Sequence, residues 1–230
     1  MQAIQIAIDG PSGAGKSTMA KIISKKLGML YLDTGSMYRA VALKAIRQGI
    51  DTRDREKVAA IMPDIRIDIS YVAGSQRVFL DGEDITGSIR TNEVSMGASN
   101  VSAFPDVRER LVELQRKIAD NTGVIMDGRD IGTHVLPNAD VKIFLTASVE
   151  ERARRRYEEL KEKGLLDKTL DQLIEEIKTR DYNDSTRQHS PLRQAEDAIL
   201  LDTSHLNIDQ AVQKILEIID KRTNDTCCTL

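Results

Sequence analysis

"IAIDGPSGAGKST", Ile6 to Thr18, opens the chain after only a few residues. Taken from Ile4, "IQIAI" runs or alternates in apolar residues and stops at Asp9-Gly10, which reads as a buried strand. The segment that follows, Gly10-Pro11-Ser12-Gly13-Ala14-Gly15-Lys16-Ser17, fits the phosphate-loop pattern G-x-x-x-x-G-K-[ST]. Glycines let backbone N–H groups turn inward toward oxygens, and a helix beginning at Lys16 adds its positive end. Such a lysine reaches the β- and γ-phosphates, and such a serine hydroxyl ligates Mg²⁺. A nucleoside triphosphate with Mg²⁺ is therefore expected, cradled by Gly10 through Thr18. The question left open is whether the last phosphate goes to water, to a protein or to a second small molecule.

Outward from this loop, Ala20, Ile23 and Leu27 fall on one face of a helix over Lys16–Leu27, with Gly28 as its stop. "MLYLD" is a second strand, and a helix starts near Thr34. Strand, helix, strand, helix is the order of a parallel sheet flanked by helices, an α/β fold. The middle departs from it: "IRIDI" (65–69) alternates, and "QRVFLDGEDIT" (76–86) places Asp81-Gly82 between two strand-like pieces, a type I′ hairpin signal. An antiparallel β-containing insertion is expected at about 60–90. The α/β pattern resumes with a helical stripe of Val107, Leu111, Leu114 and Ile118 that Gly123 should stop, then strands "VIMD" and "VKIFLT". Capping boxes are expected at Ser148 with Glu151, Thr169 with Gln172 and Asn207 with Gln210. "AILLD" is a further strand, and a last helix should bury Ile208, Ala211, Val212, Ile215 and Ile219. Residues 1–230 are expected to form a single domain.

Composition narrows the function. With 33 Lys and Arg against 36 Asp and Glu, the net charge of −3 argues against nucleic acid as the main partner. Three Phe and no Trp leave little for stacking on single strands. No apolar run approaches a membrane span, and no signal peptide is apparent, so a cytoplasmic protein is expected. Cys227 and Cys228, the only cysteines, are adjacent, which fits a reducing compartment; the ending Cys-Cys-Thr-Leu is expected to be a frayed tail rather than a prenylation site. His134, His189 and His205 lack metal-site spacing.

A guanine-reading N-K-x-D is absent, which argues against a switch GTPase. A second anion site is suggested instead. Arg39 in "DTGSMYR" and Arg129 in "DGRDIGT" should both emerge at carboxyl ends of strands, where open parallel sheets bind ligands. Asp127 ends its strand, as a carboxylate reaching Mg²⁺ through water or as a turn cap. Arg180, Asp184 and Arg187 share one helical face, either as a wet salt bridge or as an anion site. "RARRRYEELKEKG" (152–164) supplies Arg152, Arg154, Arg155 and Arg156, either a solvated basic face or a helical lid over about 152–168 that brings arginine to the phosphate and excludes water.

"IDGPSGAGKST", "YLDTGSMYRA", "DGRDIGT" and "TRDYNDSTR", in this order and with "FLDGEDIT", resemble the bacterial cytidylate kinases, a family of P-loop nucleoside monophosphate kinases. The resemblance runs from about Ile4 to the last helix and includes the insertion. It implies that ATP phosphorylates CMP or dCMP. It implies that Arg39, Arg129 and Arg187 hold the acceptor phosphate, that Ser99, Arg108 and Asp130 read cytosine, and that Arg180 and Asp184 meet the ribose. Thr34 stands where some members have serine. Among the lid arginines the resemblance favours Arg155, with Lys16, Arg129 and Arg187 as the other catalytic cations. A monomer acting on small molecules, without nucleic acid or membrane, is expected. The alternatives are a P-loop kinase of another small metabolite, which need not carry the base readers, and a nucleotide-dependent binding module without turnover.

Overall fold

The strand expected from "IQIAI" is β1 (Gln5–Asp9), and it lies at the centre of the main sheet. The computed structural model describes residues 4–120 and 122–227; the expectation for the tail, which turns on Cys228 to Leu230, lies outside them. β1 pairs in parallel with β6 (Val124–Gly128) on one side and β7 (Val141–Thr146) on the other. β2 (Leu30–Asp33) and β8 (Ile199–Asp202) complete the order β2-β6-β1-β7-β8, all parallel. Alternation along β1 assigns its side chains to two cores. Ile6 and Ile8 pack under α1 (Lys16–Leu27) and α8 (Ile208–Cys227), with Ala20, Ile23, Ala211 and Ile215. Ala7 faces the opposite layer, with Leu32, Met126 and Val112 of α5 (Pro105–Ala119).

A third core belongs to the segment between β2 and α5. There α2 (Gly35–Arg47), α3 (Arg55–Ile61) and α4 (Asn92–Val101) pack with a separate antiparallel meander, β3 (Ile67–Val72), β4 (Ser75–Leu80) and β5 (Glu83–Asp84). Asp81 and Gly82 both have positive φ (52° and 90°), as the type I′ signal requires. Ala73 and Gly74 (49° and 73°) form the preceding hairpin in the same way, a turn the sequence reading passed over. A fourth cluster joins α6 (Val149–Glu162) to α7 (Leu170–Thr186) through Ala153, Leu160, Leu173 and Ile177.

Several expectations are corrected. α5 ends at Ala119, not at Gly123, because Asp120 turns to ψ 123° and leaves the helical region. Ile208, expected to be buried, is 50% exposed, because it is the first residue of its helix and lies beyond the buried part of its stripe, Ala211, Val212, Ile215 and Ile219. Thr169 and Asn207 head full reciprocal capping boxes. Ser148 makes only half of one, since the Glu151 carboxylate is taken by Arg154 and Arg155. α3 and α4 were not anticipated. α4, "NEVSMGASNV", has weak helix formers and is held by packing on α2: a Cβ at Gly97 would lie 3.1 Å from the Ala42 Cβ.

Gly10 (φ +147°) leaves β1 so close to β7 that a Cβ would sit 1.9 Å from the Leu145 carbonyl oxygen. Gly10→Ala is expected to cost about 3 kcal/mol or more in urea unfolding. Gly164→Ala, at φ +65° with open space around it, should cost only about 1 kcal/mol.

Candidate active site

Asp9 and Asp33 end β1 and β2, whereas Asp127, expected to end its strand, is the last but one residue of β6, which runs on to Gly128. Asp127 is in register with Asp33 and with Ile8, one residue before Asp9, and all three acids are buried. Just beyond β1 the loop from Gly10 to Gly15 turns through positive φ at Gly10, Gly13 and Gly15 and delivers Lys16 and Ser17 to the first turn of α1. Lys16 is buried and donates from Nζ to the Pro11 carbonyl at 2.7 Å. Burial and the neighbouring Arg129 and Arg180 push its pKa down, against the pull of Asp127 and Asp9. Thr18 follows within the same turn.

Ser17 Oγ donates to Asp127 Oδ2 at 2.7 Å, and Tyr31 Oη donates to Asp127 Oδ1 at 2.7 Å. One hydroxyl and one carboxylate facing a phosphate loop form the sparse donor set that suits Mg²⁺, which takes its remaining ligands from water and phosphate. No cluster of three or more His, Cys, Asp or Glu able to hold a metal occurs among the described residues. Burial, then Asp33, raise the pKa of Asp127, while Lys16 and the two hydroxyls oppose the rise. A cation at this point would relieve that strain between carboxylates.

The arginines gather in two adjoining groups. In the first, Arg129 Nε pairs with Asp184 at 2.8 Å, and Arg39 pairs with Asp33 at 2.6 Å. Arg180 is the third member: burial first, then Arg129, Arg39 and Arg156, push its pKa down to about 10 against the pull of Asp184. The Nε atoms of Arg39 and Arg180 are buried without a hydrogen-bond partner. Unpaired buried donors of one sign call for an anion. In the second group Arg108, 3% exposed, reaches the Asp130 carboxylate through Nη2 and lies 5.6 Å from the Tyr38 ring centre. Arg187 Nη2 lies 3.6 Å from Asp130 Oδ1, and Ser102 bridges the two arginines. Ser99, Phe104, Asp184 and Arg187 line a cleft of about 300 Å³ beside this group. Burial holds the Tyr38 phenol up at about 12.

The structure therefore brings Arg129 and Arg180 beside Lys16, with Arg39 next to Arg180. It sets Arg187 with Arg108 and Asp130, the residues expected to read the base, and Asp184 between the groups. Arg187 caps α7 in extended conformation (ψ 143°), so it leaves the helical face that its spacing implied. Thr34 caps α2 and donates to the Asp127 carbonyl at 2.8 Å.

α6 lies against the phosphate loop. Arg152 is buried, bonds Asp181 of α7 and donates to the Ser12 carbonyl at 3.0 Å, so it does not belong to a solvated basic face. Arg154 is exposed and paired with Glu151. Arg155 bonds Glu151 and the Thr203 carbonyl, beside Gly15. Arg156 pairs with Glu159, and its charge is felt at Arg180.

The sequence reading missed several residues that shape the site. Tyr31 orients Asp127. Gln76 of β4 accepts from the Asp33 N–H at 2.8 Å and donates to Ser36 Oγ, tying the meander to the β2–α2 turn. Asp9 was noticed only as the end of a strand. Its two oxygens accept the N–H groups of Ile131 and Gly132 at 2.8 and 2.7 Å. An acid at or next to the carboxyl end of three parallel strands is the signal that could have found it.

With this geometry in hand, comparison with known proteins is specific. The profile of the family described as cytidylate kinase matches residues 6–221. Cytidylate kinase of Caldicellulosiruptor bescii is 57% identical over 221 residues, covering 96% of this chain and 97% of its relative. That of Bacillus subtilis is 50% identical over 220 residues, covering 96% and 98%. Among solved structures, a gluconokinase from Sinorhizobium meliloti aligns with a TM-score of 0.53 over 99% of this chain and 98% of its own, at 12% identity, which bears on the fold alone. No helix of the described residues is long and apolar enough to cross a membrane.

Burial pushes the Asp9 carboxyl up to about 6, against the lowering pull of the two amides it accepts. A carboxyl raised above its unfolded value holds its proton longer in the fold, so the native state loses stability as pH rises from about 4 to about 6. In Asp9→Asn that decline is expected to vanish. The difference in unfolding free energy between the two proteins should change by up to about 3 kcal/mol across this window, measured by urea titration at fixed pH steps.

Proposed function

The chain belongs to the cytidylate kinase family, and on that premise we propose that it transfers the terminal phosphoryl group of ATP to CMP or dCMP, giving ADP and the cytidine diphosphate. The observation that carries this reading is the adjacency of two unlike groups beside one phosphate loop. Unpaired buried arginine donors lie next to Lys16, and a buried Arg108–Asp130 pair lies beyond them. A phosphorylated acceptor with a hydrogen-bonding base fits both; a sugar acid would need only the first.

In this reading Gly10 to Thr18 cradle the ATP phosphates by backbone N–H groups, and Lys16 moves from the Pro11 carbonyl to the β- and γ-oxygens. Mg²⁺, held by Ser17 and through water by Asp127, neutralises charge between those phosphates when bound. Arg39 and Arg129, with the Thr34 hydroxyl, hold the acceptor phosphate in line with the γ-phosphate, and Arg187 joins them from its place beside Arg108 and Asp130. Arg180 and Asp184 meet the ribose. No protein nucleophile is required, because an acceptor phosphate oxygen attacks directly and the cations offset the repulsion of two anions. The meander over 67–84 is the acceptor-binding insertion, and the 152–168 segment is the lid over ATP, with Arg155 supplied to the transferring phosphate and Arg156 beside it. Arg152, fixed to Ser12 and Asp181, is the anchor about which that segment closes.

Cytosine presents an amine donor where uracil presents a carbonyl, and the Asp130 carboxylate, paired with Arg108 and with Ser99 on the neighbouring cleft wall, accepts only the former. CMP should be preferred to UMP by about tenfold or more in kcat/KM. A coupled ADP-release assay over CMP, dCMP, UMP and AMP tests the assignment; turnover with none of them would refute it. Asp130→Asn is expected to narrow the CMP-to-UMP gap, and an unchanged ratio would remove Asp130 as the reader. Arg39→Ala and Arg129→Ala should each lower kcat/KM for CMP by about 100-fold or more, with the fold intact by circular dichroism.

A further inference from the structure

Asp130 has no side-chain neighbour that fixes its backbone. Its φ of −147° and ψ of 27° lie outside the regular helix and strand regions, and the single π turn at Ile131–Val135 begins right after it. What holds this corner is a residue from another strand, 121 positions away. Asp9, 5% exposed at the end of β1, accepts the two first N–H groups of that turn, from Ile131 on Oδ1 at 2.8 Å and from Gly132 on Oδ2 at 2.7 Å. Nothing else in the turn can answer those donors, because a short helical turn leaves its first N–H groups without internal partners. The fit admits no slack. A Cβ on Gly132 would lie 3.1 Å from the Lys142 side chain and 3.4 Å from Asp9 Oδ2, so the peptide is sandwiched between them. Asp130 is thereby aimed at Arg108.

We propose that Asp9 is a positioning residue for acceptor selection: by gripping the Ile131 and Gly132 amides it sets the direction of the Asp130 carboxylate, so the preference for a cytosine over a uracil acceptor depends on a side chain that touches neither nucleotide. Asp9 also precedes Gly10, so the same residue joins the start of the ATP loop to the start of the base-reading turn. The inference rests on the reading of Asp130 as the cytosine contact. Burying a carboxylate is costly, and the raised pKa of this one records that cost; a residue needed only to end a strand would not be an acid there.

The test is Asp9→Asn measured beside Asp130→Asn. Asparagine keeps the shape, but one of its two positions becomes an NH₂ facing an N–H, donor against donor. KM for CMP should rise about tenfold and the CMP-to-UMP ratio of kcat/KM should fall about fivefold or more, while KM for ATP changes less than about twofold. A residue that merely supports the phosphate loop would raise KM for ATP and leave the ratio alone, and that result overturns the proposal. If Asp130→Asn itself leaves the ratio unchanged, the base-reading assignment has failed; if Asp130→Asn narrows it and Asp9→Asn does not, only the inference about Asp9 has failed. Amide exchange on the unmodified enzyme keeps the question open to refutation should the variant not fold. The Ile131 and Gly132 amides are expected to be protected before any CMP is added. Protection that arises only with CMP would show that the nucleotide, not Asp9, builds the turn.

Discussion

Crowding several like charges under one protein surface is the constraint on which this structure depends. Lys16, Arg39, Arg129 and Arg180 occupy one neighbourhood, and Arg108 and Arg187 the next. Uncompensated, such a cluster would repel itself and pay heavily for lost water. The fold answers with carboxylates set at or near the ends of buried strands and on α7. Asp33 takes Arg39, Asp184 takes Arg129, Asp130 takes Arg108, and Asp127 and Asp9 lower the cost of Lys16. The balance is left incomplete at the Nε atoms of Arg39, Arg108 and Arg180. Buried cationic donors left without a partner in this way suit an anion.

The sheet topology opens a crevice at this place. From β1 the chain passes β6 to reach β2, and later it crosses from β6 past β1 to β7, so the direction of the connections reverses beside β1 and a crevice opens at its carboxyl end. The phosphate loop occupies one wall of that crevice and the turn after β6 the other. The meander and α2–α4 share a core of their own, and α6 and α7 share another, so the two flanks of the sheet are separately packed.

Much of this was legible in the chain. The glycine spacing of the phosphate loop, the alternation of Ile6, Ala7 and Ile8 between two cores, and the Asp81-Gly82 turn each carry a local cause that needs no partner. Other features were hidden because their cause is remote. α4 is helical because Gly97 lets it approach α2, which its own residues do not announce. Ile208 continues an apolar stripe but lies beyond its buried part. The half-made capping box at Ser148 fails for the same reason, since two arginines compete for Glu151.

The sequence alone determined the fold class and the family, because repeated backbone patterns and the glycine spacing of the phosphate loop are local and stereochemically strict. Tertiary structure alone decided which charges face each other. It set Arg187 with Arg108 rather than with Arg39, buried Arg152 against the phosphate loop, and brought Asp9 to the amides of Ile131 and Gly132. Electrostatic partnership depends on distance and burial through space, and residues more than a hundred positions apart become neighbours only when the strands between them have been laid side by side.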